Sequence, residues 1–348
     1  MKLKYTLKNI KPIKPIKTIK TIKTIKPIKH IITIIILLII GILLLSYLYK
    51  VYNYFSNSIV INYPKKHTIL PKLFPNNTYF SYFNGIDKKA RHIGNKSLSE
   101  IKNYYIEHII DFTEEEKTSL NKVINSIIQN LSPDNTKLFI LKDWNFIKFS
   151  KIENDFPHTH EDLIFIPQKM INNNLNSTYN RETLIHEKVH IFQRTAPKLF
   201  ENLYINYWNF IKTPIKNLEL IQNKMRTNPD GLDNNWVFSI NNTHILLGSV
   251  YNTNPTHIGD TKNYGIFLEK NTNNGKYIYN VKTPLKDNMK EINSIHEFTD
   301  FFGNINGNNY HPNEISAEII PKHIFSNMKD NDSKGYINFK KWWNKIDL

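Results

Sequence analysis

The segment His186-Glu187-Lys188-Val189-His190 combines residue types that suit metal chemistry. On an α-helix, residues four positions apart lie on the same face, so both imidazole rings can reach one metal ion. Zinc takes neutral imidazole nitrogens in a tetrahedral array, and it acts on water when one position of that array stays open. The carboxylate of Glu187 then lies where it can accept a proton from that water. The motif therefore predicts a zinc site that could support hydrolysis.

The residues around this motif predict a helix. Polar residues that can cap a helix precede it at 177–180, and Pro197 follows it. Ile185, Val189 and Phe192 have the spacing i, i+4, i+7, which gives an apolar stripe beside the histidine face. We expect a helix that packs on one side and presents metal ligands on the next. The alternative is a core helix whose two histidines are only hydrogen-bonded.

A second segment, Asn313-Glu314-Ile315-Ser316-Ala317-Glu318, follows His311-Pro312. Proline suits the first position of a helix, and Pro321 is expected to end this helix after about two turns. Glu314 and Glu318 are one turn apart and share a face. One of them can bind a metal ion while the other holds a ligand histidine by its second ring nitrogen. The alternative is an acidic helix face in solvent.

The two segments together resemble the thermolysin-like, glutamate-liganded zincin metallopeptidases. In that family the third zinc ligand is a glutamate from a later helix, typically within Asn-Glu-x-x-Ser/Ala-Asp/Glu, and residues 313–318 match this pattern. The zincin class that continues as HExxHxxGxxH is excluded, because Gln193 and Ala196 occupy the positions of its glycine and third histidine. The resemblance covers residues 180–197 and 311–321.

This resemblance implies a role for each matching residue. His186, His190 and Glu314 would bind one zinc ion per chain, and Glu187 would be the general base. Glu318 would orient a ligand histidine, His186. Other side chains compete for the place of the third ligand: His158, His160, Asp230, His244, His257 and His311.

Hydrolysis of an amide also needs a hydrogen-bond donor near the reacting carbonyl oxygen. Four side chains in turn-like or strand-end contexts are candidates for this oxyanion stabiliser, and the sequence does not rank them: Tyr310, His311, Arg226 and Tyr251.

Residues 157–167 predict a short strand that ends at Pro167. The resemblance implies an edge strand beside the metal-binding helix, and an extended peptide substrate would pair with its backbone. A plain core strand is the alternative. His158 and His160, on one side of this strand, are then bystanders.

Residues 31–49 are almost wholly aliphatic and uncharged. As a helix they span about 28 Å, close to the ~30 Å of a bilayer's hydrocarbon core. A buried core helix is the alternative. Ten lysines and no acid lie in residues 2–29. The positive-inside rule therefore predicts a cytoplasmic N-terminus and an exoplasmic body, on a lumenal, extracellular or virion surface. No small-residue cleavage site follows, so an uncleaved signal anchor in a lipid bilayer is expected.

The basic charge is concentrated in the N-terminal tail, where Ile-Lys-Pro/Thr repeats fill residues 10–27. The net charge is +16, and outside the tail 36 basic residues face 30 acidic ones. The body is therefore only mildly basic, and no nucleic-acid partner is expected. The absence of cysteine excludes thiol catalysis, cysteine-zinc sites and disulfides.

These patterns predict four regions. They are a basic low-complexity tail at 1–29, a transmembrane signal anchor at 30–50, a stalk at 51–95 and a catalytic domain at 96–348 with a β insertion at about 235–283. The expected fold class is α+β, a zincin-like metallopeptidase domain behind a single N-terminal transmembrane helix.

The resemblance implies a membrane-anchored zinc metallopeptidase that hydrolyses a peptide or protein substrate. Two alternatives remain. One is a catalytically inactive zincin-fold membrane protein with a binding or structural role. The other is a membrane-anchored interaction protein in which the histidine motif is accidental.

Overall fold

The computed structural model describes residues 25–56, 59–69, 78–131, 143–271, 275–305, 307–325 and 332–346. The chain divides into two compact units, Met1–Ser58 and Ile59–Leu348. The predicted basic tail and the predicted stalk lie partly outside the described residues. Because the second unit begins at Ile59, the folded body takes in part of the segment that was predicted as a stalk.

The first unit contains a helix, α1, at Ile25–Ser56. Its described side chains, at 31–46, are mostly exposed aliphatic groups. Among the residues that the structure describes, no helix is long and apolar enough to cross a membrane. The predictions of a transmembrane span at 31–49 and of a single-pass protein with an exoplasmic catalytic domain are therefore wrong.

The second unit interleaves helices and strands along the chain. Its strands are β1 (Ile61–Asn62), β2 (Ile109–Ile110), β3 (Trp144–Phe149), β4 (His158–His160), β5 (Leu163–Pro167), β6 (Phe210–Lys212), β7 (Ile215–Lys216), β8 (Trp236–Ile240), β9 (Thr243–Tyr251), β10 (Thr261–Phe267), β11 (Glu269–Lys270), β12 (Tyr277–Ile278) and β13 (Met289–Glu291). Its α-helices are α2 (Lys66–Ile69), α3 (Thr78–Ser81), α4 (Gly85–Ala90), α5 (Leu98–Glu107), α6 (Glu114–Gln129), α7 (Gln168–Asn172), α8 (Thr178–Thr195), α9 (Pro197–Asn206), α10 (Glu219–Gln222), α11 (His296–Phe302), α12 (Pro312–Ile324) and α13 (Lys334–Trp343).

The first sheet has the strand order β1-β3-β5-β4, and β2 also pairs with β3. Strands β1, β3 and β5 are parallel, with Phe146 opposite Ile164. Strand β4 is antiparallel to β5, with His158 opposite Phe165. The strand predicted at 157–167 is thus two strands joined by a tight turn at Glu161, whose φ is 51°. Its first part, β4, is the outer strand of this sheet.

Alternation along β3 and β5 sends side chains into two separate cores. Phe146 and Ile164 join the main core with helices α6, α8 and α12. Phe149 and Phe165 point to the other face, where they pack with Phe80 and other residues of α3 and α5. Helices α5 and α6 both begin with a capping box, in which a hydroxyl and a glutamate exchange hydrogen bonds with the backbone.

Two further sheets are built from the later strands. The larger is wholly antiparallel, with the order β13-β10-β9-β8-β6, and the smaller has the order β11-β12-β7. The β-rich region predicted at about 235–283 supplies β8 to β12. It does not form a sheet by itself, because β6, β7 and β13 complete the two sheets from outside it.

The predicted fold class is wrong. The structure is mixed α/β, with several sheets, and it contains no helix that could span a membrane in its described part. Parallel pairing of β1 with β3 and of β3 with β5 requires crossover connections, whereas β8 to β12 follow one another with no α-helix between them. A sequence pattern gives the period of each strand but not the direction of its partner.

Candidate metal centre

Helix α8 carries the HExxH motif, and the predicted helix is confirmed. Ser177 is its N-cap and accepts a hydrogen bond from the backbone N–H of Asn180 at 3.2 Å. Ile185 and Val189 are fully buried in the main core. This packing fixes the rotation of the helix and turns the faces of His186 and His190 toward α12.

Helix α12 supplies the second segment. It begins at Pro312, with the ring of His311 as N-cap accepting a hydrogen bond from Asn313 N–H at 3.1 Å. Pro321 does not end the helix, which continues to Ile324. Pro321 lacks an N–H, but its carbonyl still accepts a hydrogen bond from the N–H of Phe325 at 2.9 Å. Ile324 is buried in the core, and this packing outweighs the hydrogen bond that the proline cannot make.

Three donor atoms converge where α8 and α12 meet. The Nε2 atoms of His186 and His190 are 3.0 Å apart. Oε2 of Glu314 lies 3.4 Å from Nε2 of His186, and Oε1 of the same carboxylate lies 3.7 Å from Nε2 of His190. In a tetrahedral site with bonds of about 2.0–2.1 Å to zinc, neighbouring donor atoms lie about 3.3–3.4 Å apart. The arrangement therefore fits one zinc ion held by three side chains, with a fourth position left open.

The second ring nitrogen of His190 is held from within the protein. His190 Nδ1 lies 2.8 Å from Gln193 Oε1, so the ring donates to the amide oxygen. The amide nitrogen of Gln193 donates to the carbonyl of Asn313 and to the hydroxyl of Ser316, both at 2.8 Å. Tyr204 closes the network with a hydrogen bond to Ser316 at 2.9 Å. This network fixes the tautomer of His190 and ties α8 to α12.

The second ring nitrogen of His186 faces Glu318. His186 Nδ1 lies 3.6 Å from Glu318 Oε2, and the other carboxylate oxygen pairs with Lys322 at 2.8 Å. Burial would raise the pKa of Glu318, but His186 and Lys322 lower it to about 2. Glu318 is therefore an anion that holds the ring from the side away from the convergent donors, as its predicted role requires.

Electrostatics at the centre follow from burial and close charges. Burial would lower the pKa of His186, yet Glu314 and Glu318 together raise it well above its usual range. Burial would raise the pKa of Glu314, and the two imidazoles lower it. A zinc ion would displace the proton on His186, because a ligand imidazole must be neutral.

The carboxylate of Glu187 has a different environment. It is only 4 % exposed, and its Oε2 atom has no hydrogen-bond partner in the described structure. Burial is the main reason that its pKa lies well above the usual range, and the nearby carboxylates of Asp230 and Glu314 add to the effect. A buried acceptor without a donor is costly unless a ligand or water supplies one.

A loop at 226–231 covers the Glu314 side of the centre. The side-chain amide of Asn228 donates to Glu314 Oε1 at 2.5 Å and to the hydroxyl of Tyr310 at 2.7 Å. Arg226 donates to the same hydroxyl at 2.8 Å. Tyr310 in turn hydrogen-bonds to Glu314, and burial is the first cause of its raised pKa. These contacts fix the orientation of the carboxylate.

A buried ion cluster anchors this loop. Arg91 pairs with Asp87 at 2.8 Å and with Glu153 at 3.0 Å, and all three side chains are nearly inaccessible. Arg91 also donates to the carbonyl of Thr227 at 2.9 Å, while Asp87 accepts from the N–H and the hydroxyl of the same residue. The loop therefore depends on residues far away in the sequence.

Asp230, a rival for the third ligand, lies in the same loop and lines the cavity of the centre. Its carboxylate pairs with Arg194 at 2.9 Å and accepts a hydrogen bond from Thr159. It comes within 4.8 Å of His190 and Glu187 but does not belong to the group formed by the two histidines and Glu314. Burial would raise its pKa, and His190 and Arg194 lower it. Asp230 is thus an anion beside the predicted general base.

The remaining candidates for the third ligand lie outside the group of convergent donors. His158 lines the cavity of the centre, while His160 is buried behind it against Phe165. The other three are held by local partners: His244 by Ser239, His257 by Asp260, and His311 by Asp233.

The four candidates for the oxyanion stabiliser lie in different places. Tyr310 and Arg226 line the cavity, but His311 does not, because it caps α12 and faces Asp233. Tyr251 is bonded to Asp87 and Arg91 in the anchoring cluster. Both ring nitrogens of His311 are engaged away from the convergent donors, one with the carbonyl of Asp233 and the other with the N–H of Asn313.

The centre opens into a cavity of about 400 Å³. Glu187, Asp230 and Arg226 line it together with the three convergent donors. Comparisons with family models, with curated proteins and with solved structures find no match for this chain. The geometry of the centre therefore carries the functional argument.

Sequence reasoning missed Gln193 and Asn228 as partners of the ligands. Gln193 could have been found, because three residues after His190 on a helix is within reach of its ring. Asn228 carries no such signal. Its contact with Glu314 depends on how the loop folds back on α12.

Proposed function

We propose that this protein is a zinc-dependent metallopeptidase of the glutamate-liganded type, which hydrolyses peptide bonds with Glu187 as the general base. The observation that supports it most is the convergence of two imidazole nitrogens and the Glu314 carboxylate within 3.7 Å of one another. His186, His190 and Glu314 would hold the ion. When bound there, zinc supplies Lewis acidity, which polarises a carbonyl oxygen and lowers the pKa of water.

Glu187 carries the proton transfers in this proposal. Its buried Oε2 has no protein donor in the described structure, so it is free to accept a proton from a water molecule that attacks the peptide carbonyl. The same carboxyl group then gives the proton to the leaving amine as the C–N bond breaks. Burial raises the pKa of Glu187, which helps it to keep the proton until that step.

Arg226 is the better-placed donor for the reacting carbonyl oxygen. The hydroxyl of Tyr310 accepts hydrogen bonds from Arg226 and Asn228 and is itself bonded to Glu314. Arg226 makes only that one side-chain hydrogen bond, and it forms no ion pair among the described residues. A guanidinium has five N–H donors, so several remain for a ligand in the cavity.

Strand β4 is the element beside which we propose that the substrate lies. It is the outer strand of its sheet, it packs beside α8, and His158 at its start lines the cavity. A peptide that adds to an outer strand gains main-chain hydrogen bonds that do not depend on its sequence. This supports peptides rather than small amides as the substrate class.

A site that binds metal without turnover is the second candidate. The unpartnered carboxylate of Glu187 favours hydrolysis over this alternative. A purely structural zinc site is closed by four protein ligands and has no use for a buried acid beside it.

The test is zinc stoichiometry and hydrolysis by the full-length protein and two variants. Wild type should bind one zinc per chain and cut reduced casein. Glu187→Gln should keep the zinc and lose hydrolysis, whereas Glu314→Ala should lose zinc. No zinc in the wild type after incubation with metal would refute the proposal. Zinc with no cleavage in any protein would leave the binding role.

A further inference from the structure

We propose that the metal centre occupies one end of a longer cleft, and that Phe156 and Tyr179 form the rim of a subsite for an apolar side chain of an extended polypeptide substrate. This inference rests on the proposed function and adds the substrate class to it.

The cleft continues beyond the centre. A second cavity of about 590 Å³ lies next to the first, and the two share four wall residues: Phe156, Pro157, Tyr179 and Thr183. Its other walls come from α7 and from the loop that leads into α8. The four shared residues lie between the two cavities, so a chain that is bound at the metal centre and extends past Phe156 and Tyr179 would reach the second cavity.

The two rim residues are exceptional in their exposure. Among the described residues, three aromatic side chains are strongly exposed: Tyr82 at 52 %, Phe156 at 42 % and Tyr179 at 77 %. Two of the three flank this cleft. Exposed aromatic groups that border a pocket mark a contact site for apolar ligands, because their burial on binding removes a large apolar area from water.

Phe156 is presented by an unusual turn. The three residues before it, Glu153, Asn154 and Asp155, all have left-handed backbone, with φ of 45°, 52° and 56°. Such a run of non-glycine residues is strained, and strain of this kind persists where the surrounding structure enforces it. The side chain of Glu153 supplies that constraint, since it is buried and bonded to Arg91.

Tyr79 and Tyr105 complete the anchor of the turn, and both donate hydrogen bonds to Glu153. A buried carboxylate and three strained residues thus form a turn that leaves Phe156 exposed beside the cavity.

The polar walls of the second cavity suit a peptide backbone. They include the side chains of Asn154, Asn173 and Asn174, with one acid, Asp155, and one base, Lys169. Amide groups can donate to and accept from peptide units, and the balanced charge gives no preference for a charged ligand. The rim offers apolar contact and the walls offer hydrogen bonds, as an uncharged stretch of polypeptide requires.

The test uses the full-length protein, loaded with zinc, and peptides cut from reduced casein. A cleaved bond is first located in casein, and a tetrapeptide and a dodecapeptide are made around it. Wild type should show a lower KM for the dodecapeptide. In Phe156→Ala and in Tyr179→Ala, the ratio of the KM of the tetrapeptide to the KM of the dodecapeptide should fall about tenfold. This is the factor expected for one lost aromatic contact. Tyr82→Ala, which removes an exposed ring that lines neither cavity, should keep the wild-type ratio.

A binding measurement separates this inference from the proposed function. Fluorescently labelled reduced casein is titrated into Glu187→Gln, alone and combined with Tyr179→Ala or Tyr82→Ala. Binding weakened by the Tyr179 change alone supports the subsite even if no hydrolysis is found. Wild-type hydrolysis with an unchanged dodecapeptide advantage in both rim variants would overturn the subsite while the peptidase stands. Absence of both cleavage and binding would overturn both.

Discussion

The two sides of the metal centre are built in different ways. His186 and His190 come from one helix, and their spacing follows from the pitch of that helix alone. Glu314 lies on α12, but Asn228 and Tyr310 orient it, and the loop that carries Asn228 is anchored on Arg91. A local element thus sets one half of the site, and a chain of tertiary contacts sets the other. Zinc affinity should fall abruptly when a ligand histidine is removed, and by degrees when a contact that orients Glu314 is removed.

The largest effect is expected on the histidine side. His190→Ala removes one of three ligands, and zinc affinity should fall on the order of a thousandfold. Isothermal titration or chelator competition measures it. His244→Ala is the control, since that imidazole is hydrogen-bonded to Ser239 away from the centre. Equal affinity in His190→Ala and wild type would mean that the two histidines do not act as a pair.

The anchor of the glutamate side should respond next in size. Arg91→Met leaves Asp87 and Glu153 as buried, uncompensated charges, so the free energy of unfolding should fall by about 3–5 kcal/mol. Urea denaturation gives the value. Lys89→Met makes the same change of charge at an exposed position of α4 and should have little effect. A small loss in Arg91→Met would show that the loop has another anchor.

Low pH should weaken the ion pair between Glu153 and Arg91. Burial would raise the pKa of Glu153, but Arg91 lowers it to about 2 in the folded protein, below the ordinary value of 4.5. Its contribution, about 3 kcal/mol, is therefore complete above pH 4.5 and is lost as the pH falls toward 2. Unfolding measured from pH 6 to pH 2 should show a shallower decline in Glu153→Gln than in wild type. Parallel curves would contradict the assignment.

Asn228→Ala tests directly the contact that orients Glu314. The variant leaves Glu314 in place but without its amide donor, so zinc affinity should drop about 10–100-fold, the range for partners of metal ligands. Asn223→Ala, an exposed position before the loop, serves as control. If Asn228→Ala lost zinc as completely as His190→Ala, the contrast between the two sides would not hold.

The smallest effect is expected at the start of α8. Ser177→Ala removes the N-cap hydrogen bond and should lower the free energy of unfolding by about 1 kcal/mol, with zinc affinity nearly unchanged. Asn176→Ala, an exposed neighbour, should be neutral. A marked loss of zinc in Ser177→Ala would show that the helix is less firmly held by its core packing than its buried residues indicate.

Much of the fold near the centre followed from local patterns. The helix around His186 could be predicted, because it depends on residues within a few turns of one another. The length of α12 could not, since Pro321 signals an end that core packing overrides. The aliphatic run at 31–49 predicted a membrane span, which the described helix does not support.

What the sequence determined by itself was the chemistry available and its spacing on single helices. Two imidazoles four residues apart share a face whatever surrounds them, because helical geometry is local. What the tertiary structure decided was which carboxylate meets them, how it is oriented and what covers it. Glu314, Asn228 and Arg91 are far apart along the chain, and they interact only because buried packing and paired charges offset the entropy of closing long loops.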